Sequence, residues 1–273
     1  MARHTAPSIH SVFAELASET RSDILNELSQ GEKRFTTIKR DLKLTSPELA
    51  RQLERLEDAY LVTKMRSGHY AISDFGMTIR SLVTNIEFVL DHSDYFRTHN
   101  PSIIPDSLFR QLDRNMEVEF VTDRFGPINL VLERGASIRE FYWIISDSIP
   151  RFALPQVKMK IRQGVRFKAL YPREYLRGIR STLEKEILQS VEFRVADSVH
   201  IVVCVTDQFA YVCLPKFKDA EIDRGYFMLG SSPKFRAWCR ELFHYYWNQP
   251  STQTSDSSKV SFRRPRNREP DDA

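Results

Sequence analysis

Apolar positions recur every three to four residues from the start of the chain. Ile9, Val12, Phe13 and Leu16 fall on one helical face, and Ile24, Leu25 and Leu28 on the next, which predicts helices over residues 8–17 and 20–29. Gly31 ends the second of these. A short helix over Thr37–Leu42 follows, and after Lys43-Leu44 either Thr45 or Ser46 is placed to cap another, with Pro47 in the first turn where a missing N–H costs nothing. Along that helix Leu49, Leu53 and Leu56 form an apolar stripe, which sets Arg51, Gln52 and Arg55 on the opposite side. From Leu61 the pattern shortens: Leu61–Met65 and Tyr70–Ile72 read as two strands joined by Arg66-Ser67-Gly68-His69. Helix, turn, helix and hairpin together make a winged helix-turn-helix.

That arrangement supplies candidate chemistry. Arg bonds guanine edges in a bidentate manner and Gln does the same to adenine, so Arg51, Gln52 and Arg55 are the candidate groove residues. Ser46 at the helix start, with Arg66 and His69 on the hairpin tip, completes the candidate DNA-binding set. The stretch Leu16-Ala17-Ser18-Glu19-Thr20-Arg21 with Ile24-Leu25, and Leu53-Glu54-Arg55-Leu56-Glu57-Asp58-Ala59-Tyr60-Leu61-Val62, resembles the ArsR-type winged-helix regulators over about residues 8–80. Tyr60 departs from the family, which usually has Gly after the recognition helix. No Cys pair occupies the helices, so the metal sensing of some relatives is not implied.

Phe75, Ile79, Leu82, Val83, Ile86, Val89 and Leu90 make a broad apolar stripe on a long helix over Phe75–Leu90. Such a stripe serves either as a dimer seam or as packing against a second domain. The first domain is therefore taken as residues 8–90, and residues 91–106, with Asn100, Pro101 and Pro105, read as a linker.

Beyond it strands and helices alternate: strands at Val118–Thr122 and Phe141–Ile145 flank a helix at Pro127–Leu132, and a helix at Leu154–Gln163 leads to a strand at Val165–Tyr171. A helix over Pro172–Leu188, strands at Val191–Val195, Ile201–Thr206 and Ala210–Leu214, and a last helix at Pro233–Trp247 follow. The expected fold is thus an α+β winged helix-turn-helix followed, over residues 107–248, by an α/β sandwich on a mixed sheet. The ending Phe235-Arg236-Ala237-Trp238-Cys239-Arg240-Glu241-Leu242-Phe243-His244-Tyr245-Tyr246-Trp247, after Val205-Thr206-Asp207, resembles the effector domain of archaeal FilR-type transcriptional regulators over roughly residues 107–248. The resemblance implies a DNA-binding regulator with a sensing domain.

Charge changes this picture little. The net charge is +4, and residues 1–92 hold 12 Lys and Arg against 13 Asp and Glu, so affinity for DNA depends on where the cations lie rather than on their sum. Cys204, Cys213 and Cys239 are odd in number and lack metal-ligand spacing, which argues against a disulfide framework or zinc site. No cofactor is implied. The absence of an 18-residue apolar run and of an apolar N-terminal region predicts a soluble cytoplasmic protein without a membrane partner.

Two further constellations bear on chemistry. His200, Val202 and Asp207 occupy the spacing of the phospholipase D-like H-x-K-x-x-x-x-D motif, with valine in place of the lysine that neutralises phosphate charge and with no second copy of the motif. This favours a buried strand, with at most a non-catalytic phospholipase D-like ancestry. Lys158, Lys160, Arg162, Arg166, Lys168, Arg173, Arg177 and Arg180 form a basic run that is either a solvated face or part of a ligand site. In the second case Arg173, after the strand ending at Tyr171, clamps a small anionic effector beside Tyr142, Trp143 and Tyr171. Residues 249–273 are too polar to fold and read as a disordered tail. The expectation is a homodimeric regulator of double-stranded DNA that is not an enzyme. The alternatives are a phosphodiesterase-like enzyme tethered to DNA and a protein-binding scaffold.

Overall fold

A computed structural model describes residues 7–123, 126–149, 153–249 and 253–254. The chain divides into two compact units between Leu90 and Asp91.

The first unit contains α1 (Ile9–Leu16), α2 (Glu19–Ser29), β1 (Lys33–Arg34), α3 (Phe35–Asp41), α4 (Ser46–Asp58), β2 (Val62–Lys64), β3 (His69–Ile72) and α5 (Asp74–Asp91). Its helices begin where local chemistry satisfies open N–H groups: Ser8 accepts from Ser11 N at 3.1 Å and Thr45 from Glu48 N at 3.4 Å. Thr45 is therefore the cap of α4, and Ser46 is its first residue. Ile24, Leu25, Leu28, Ile38, Leu49, Leu53, Leu56 and Leu61 close one core with Tyr70. The strands pair antiparallel in the order β1-β3-β2, with Lys33 opposite Tyr70 and Val62 opposite Ile72.

Two backbone positions hold the wing against this core. Gly76 lies where a Cβ would stand 2.1 Å from the Leu61 carbonyl oxygen, so only glycine lets α5 settle there. Tyr60 turns the chain out of α4 with φ 60°, the left-handed conformation for which glycine is the usual residue. The departure at Tyr60 noted in the sequence thus falls on a strained position.

The second unit contains α6 (Ser93–Phe96), α7 (Asp106–Phe109), β4 (Glu119–Thr122), α8 (Gly126–Arg134), β5 (Phe141–Ile145), α9 (Leu154–Arg162), β6 (Arg166–Pro172), α10 (Arg173–Ile179), α11 (Lys185–Ser190), β7 (Val191–Ala196), β8 (Val202–Thr206), β9 (Ala210–Cys213), β10 (Tyr226–Gly230), α12 (Pro233–Trp247) and β11 (Gln253–Thr254). Among the described residues they build a mixed sheet in the order β11-β7-β6-β5-β8-β9-β10-β4. β5, β6 and β7 run parallel and the other neighbours antiparallel. The mixed sheet flanked by helices is the expected class.

Strand alternation sorts the side chains. Phe167, Ala169 and Tyr171 of β6 and Phe193 and Val195 of β7 enter one core with Cys204, Tyr211 and Phe227. On the other face Trp143 meets Phe243 of α12 at 5.3 Å between ring centroids. Every residue of β8 is buried, the continuous apolar run of a strand covered on both faces. Ser232 caps α12 by accepting from Phe235 N at 3.1 Å, and Trp238 donates to the Leu108 carbonyl at 2.8 Å.

Three expectations need correction. Residues 91–106 are not a linker: Tyr95 is fully buried, stacks on His99 at 4.0 Å and meets Tyr226 at 4.9 Å, while Asn100 N bonds Pro215 O at 2.8 Å. Asn100 and the prolines mark a tight turn inside the unit. The helix expected over Pro172–Leu188 breaks into α10 and α11 around a 3-10 turn at Arg180–Thr182, because Leu183 leaves the helical path for the core. In the expected tail, Gln253 and Thr254 pair with Val195 and Arg194 as an edge strand; residues 250–252 and 255–273 lie outside the described residues.

Candidate nucleic-acid interface

Helix α4 buries Leu49, Gln52, Leu53 and Leu56 and exposes Ser46, Ala50, Arg51, Glu54 and Arg55. Gln52 is thus no groove residue. It stands three positions after Leu49 and four before Leu56, so the helical period carries it onto the apolar face. Its Oε1 there accepts from Arg21 Nη1 at 2.9 Å.

Arg21, itself 7% exposed, is the hub of a polar network between α1 and α4. Its Nε and Nη2 donate to the carbonyls of Glu15 and Ala14 at 2.9 Å each, and its guanidinium lies 2.8 Å from the Glu15 carboxylate. Arg55 grips both oxygens of the same carboxylate, its Nε donating to Oε2 at 3.0 Å and its Nη2 to Oε1 at 2.7 Å, so that Oε2 is shared with Arg21. The Arg55 guanidinium bonded to Glu15 holds its carboxyl below the usual 4.5, while burial lowers Arg21 from its ordinary value. Arg55 therefore fixes α4 against α1, and its reach toward DNA competes with this bidentate pair.

Arg51 is exposed and, among the described residues, enters no ion pair. Ser46 is exposed in the first turn of the same helix. Glu54 on the same face limits attraction to phosphates, so the surface favours positioned contacts over general affinity.

The wing tip is a turn in which Met65 N bonds His69 O at 2.8 Å and Gly68 takes φ 81°. Arg66 is exposed at this tip. His69 is half-buried at the start of β3, with Nδ1 3.0 Å from Ser67 Oγ and Nε2 3.4 Å from Arg34 Nε. The hairpin register sets Arg34 opposite His69. Arg34 and Lys64 are exposed cations of the wing that the sequence reading passed over. The two-residue period placing Lys64 and Arg66 on one side was available as a signal; the pairing of Arg34 with the hairpin was not.

The expected effector clamp does not assemble. Tyr142 and Trp143 are neighbours on one strand and point to opposite faces: Tyr142 stacks on Phe167 at 5.4 Å, whereas Trp143 lies against α12. Tyr171 is buried in the core shared with Tyr142, and burial raises both hydroxyls well above their usual range. Arg173 begins α10, 3.8 Å from Asp197. Five more cations of the basic run are held by acids or carbonyls, while Arg166 is exposed and Arg180 half-buried. Lys158 pairs with Glu184, Arg162 with Glu186 at 2.8 Å, Lys168 with Glu192 at 3.3 Å and Arg177 with Glu174 at 2.8 Å. Lys160 is buried and donates to the carbonyls of Ala136 and Ile138 at 2.9 and 2.8 Å. These cations serve the scaffold.

His200 and Asp207 stand on either side of β8, on the order of 20 Å apart along an extended chain. Asp207 accepts from Arg139 N at 3.1 Å, and Val202 is buried. The three positions form no joint site for phosphodiester chemistry. Among the described residues no group of His, Cys, Asp and Glu is placed to hold a metal, and no helix is long and apolar enough to cross a membrane.

Residues 18–64 match the family model of the bacterial regulatory proteins of the arsR family, and residues 128–249 that of the middle domain of the methanogenesis regulatory protein FilR1. Comparison with curated proteins gives no match. Similar solved structures include TrmBL2, an archaeal chromatin protein, at 11% identity over 85% of this chain and 93% of that one with a TM-score of 0.41. Quinone-bound YodB from B. subtilis is 22% identical over 32% of this chain and 99% of its own, TM-score 0.30. Nuc from Salmonella typhimurium, a phospholipase D family member, is 16% identical over 50% of this chain and 97% of its own, TM-score 0.38.

Proposed function

We propose that this chain, a DNA-binding transcriptional regulator that joins an ArsR-type winged helix to a FilR1-type middle domain, acts as a homodimer on double-stranded DNA and answers to a small ligand held by its second domain. The observation that supports the dimer is a set of exposed apolar side chains on two helices of the first unit. Leu82, Ile86 and Leu90, one turn apart on α5, are 55%, 45% and 66% exposed, and Ile9 and Phe13 on α1 are 65% and 51% exposed. Isolated apolar side chains on a surface mean little, but two helical stripes of them mark an association face. Two copies joined there present two α4 helices to successive major grooves, with half-sites about one helical turn or a multiple apart.

Within each copy Arg51 and Ser46 of α4 enter the groove, and Arg34, Lys64 and Arg66 of the wing settle on the backbone. Arg55 serves chiefly as the anchor of α4. The second domain supplies the differential affinity for two arrangements that any ligand response requires. The case for an anionic ligand loses its support, because Tyr142 and Trp143 point to opposite faces of the sheet and Arg173 lies 3.8 Å from Asp197.

The test is the oligomeric state. Ile86→Glu places a charge in the seam and is expected to yield monomer by light scattering at micromolar concentration, with loss of the two-half-site footprint on DNA. A parent protein that is monomeric both free and on DNA ends the dimer reading.

A further inference from the structure

At the carboxyl ends of the parallel strands, where open α/β sheets hold ligands, the second unit contains a cavity of about 390 Å³. Its size is that of a small-molecule site. Ile145 of β5, Leu170 of β6, Ala196 of β7 and Ile201 before β8 form the floor, and Ile103 forms a wall. All four floor residues are buried. Tyr246 and Gln249 at the end of α12 close one side, and Tyr246 donates its hydroxyl to the Ile103 carbonyl. Burial pushes that phenol up to about 12, so it stays neutral and its oxygen keeps a lone pair for a donor. Asp197, Ser198 and His200 form the rim.

The chemistry of this lining is selective. Neither Lys nor Arg is among the lining residues, and the one carboxylate there, Asp197, has the Arg173 guanidinium 3.8 Å away outside the cavity. An anion would leave water for an apolar floor with neither Lys nor Arg among the lining residues to meet its charge. A hydrocarbon body gains from Ile145, Leu170 and Ile201, and a single hydroxyl or amide finds Ser198, His200, Tyr246 or Gln249. We infer that this cavity binds a small, uncharged, mostly apolar molecule with one hydrogen-bonding head, and that His200 lines it as a hydrogen-bonding residue. The inference rests on the reading that the second domain senses a ligand, and replaces the anionic class with a neutral one.

Full-length protein is titrated with 1-hexanol, hexylamine and hexanoate by calorimetry and thermal melting. Hexanol is expected to raise the Tm and to bind at least about tenfold tighter than hexanoate, the discrimination that an unpaired buried carboxylate brings. Two blocking variants, Ala196→Leu from the floor and Ile103→Trp from the wall, are each expected to abolish hexanol binding; either one that folds suffices. Hexanoate binding as tightly as hexanol, no binding by any probe, or unchanged hexanol binding in a folded blocking variant overturns the inference. DNA affinity measured in the same titrations separates the two readings. Hexanol binding that leaves DNA affinity unchanged supports the cavity and ends the sensor reading; a DNA response to hexanoate that survives both variants supports the sensor reading and overturns the cavity.

Discussion

The two units hold similar cations in opposite circumstances. In the second, Lys158, Arg162, Lys168, Arg173 and Arg177 stand within ion-pair distance of acids on neighbouring elements or turns, and Lys160 is buried on carbonyls. In the first, Arg51 on α4 and Arg66 on the wing project into solvent with no acid within ion-pair distance among the described residues. Most of the denser basic run is thus matched by acids or carbonyls, while the sparser set keeps its charge available for phosphates and base edges. A count of Lys and Arg along the chain ranks the two regions in the wrong order; the placement of acids decides.

The largest effect belongs to the cation that sits between these classes. Arg21 is buried and bonds Gln52, Glu15 and two carbonyls, so Arg21→Ala leaves several polar groups unsatisfied in a closed space. A loss of about 3 kcal/mol in unfolding free energy is expected from urea denaturation of the parent and variant. A loss within experimental error would mean that α4 is not held through this network. Next comes Arg51→Ala, which is expected to cost about 1–3 kcal/mol at a preferred DNA site and less on random DNA, with little change in stability. Equal loss on all sequences makes Arg51 a phosphate contact, and no loss removes α4 from the groove.

Much of this is readable in the sequence, and the failures have two causes. The helix at Pro233–Trp247 and the strand at Phe141–Ile145 follow directly from capping and apolar pattern. Strand β10 was missed because Phe227, Met228 and Leu229 are buried together, with no alternation to announce a strand. At the site, the stripe on α4 is legible in the spacing, and so is the place of Gln52 on it; what the spacing does not show is Arg21, thirty-one positions away in sequence, which satisfies the buried amide. Arg55 was misjudged likewise, since its partner Glu15 lies forty positions away. Pairing across such separations is a product of the fold, and residue type alone does not reveal it.

The Glu15 pair gives a pH test of that distant coupling. Its folded carboxyl lies below the ordinary 4.5, chiefly because Arg55 hydrogen-bonds the charged form. A group depressed in the folded state contributes stability that is present above its unfolded value and lost as pH falls through the folded one. The difference in Tm between the parent and Glu15→Gln is therefore expected to be constant above about pH 5 and to shrink as the pH is lowered further. A difference that is independent of pH down to acid unfolding would assign the effect of the variant to packing instead.

The smallest effect is the one on which the comparison stands. Arg177 pairs with Glu174 one turn earlier on α10, both side chains more than half exposed, and such surface pairs contribute little. Arg177→Ala is expected to change unfolding free energy by no more than about 0.5 kcal/mol. It is also expected to leave DNA affinity and its salt dependence as they are, because a charge already matched by an acid releases few counterions from DNA. Salt-dependent binding of parent, Arg177→Ala and Arg66→Ala, measured side by side, checks this: only the wing variant should flatten the dependence, by the share of one phosphate contact. If Arg177→Ala flattens it equally, the acids of the second unit yield their partners to DNA, and the division of the cations into matched and available sets fails.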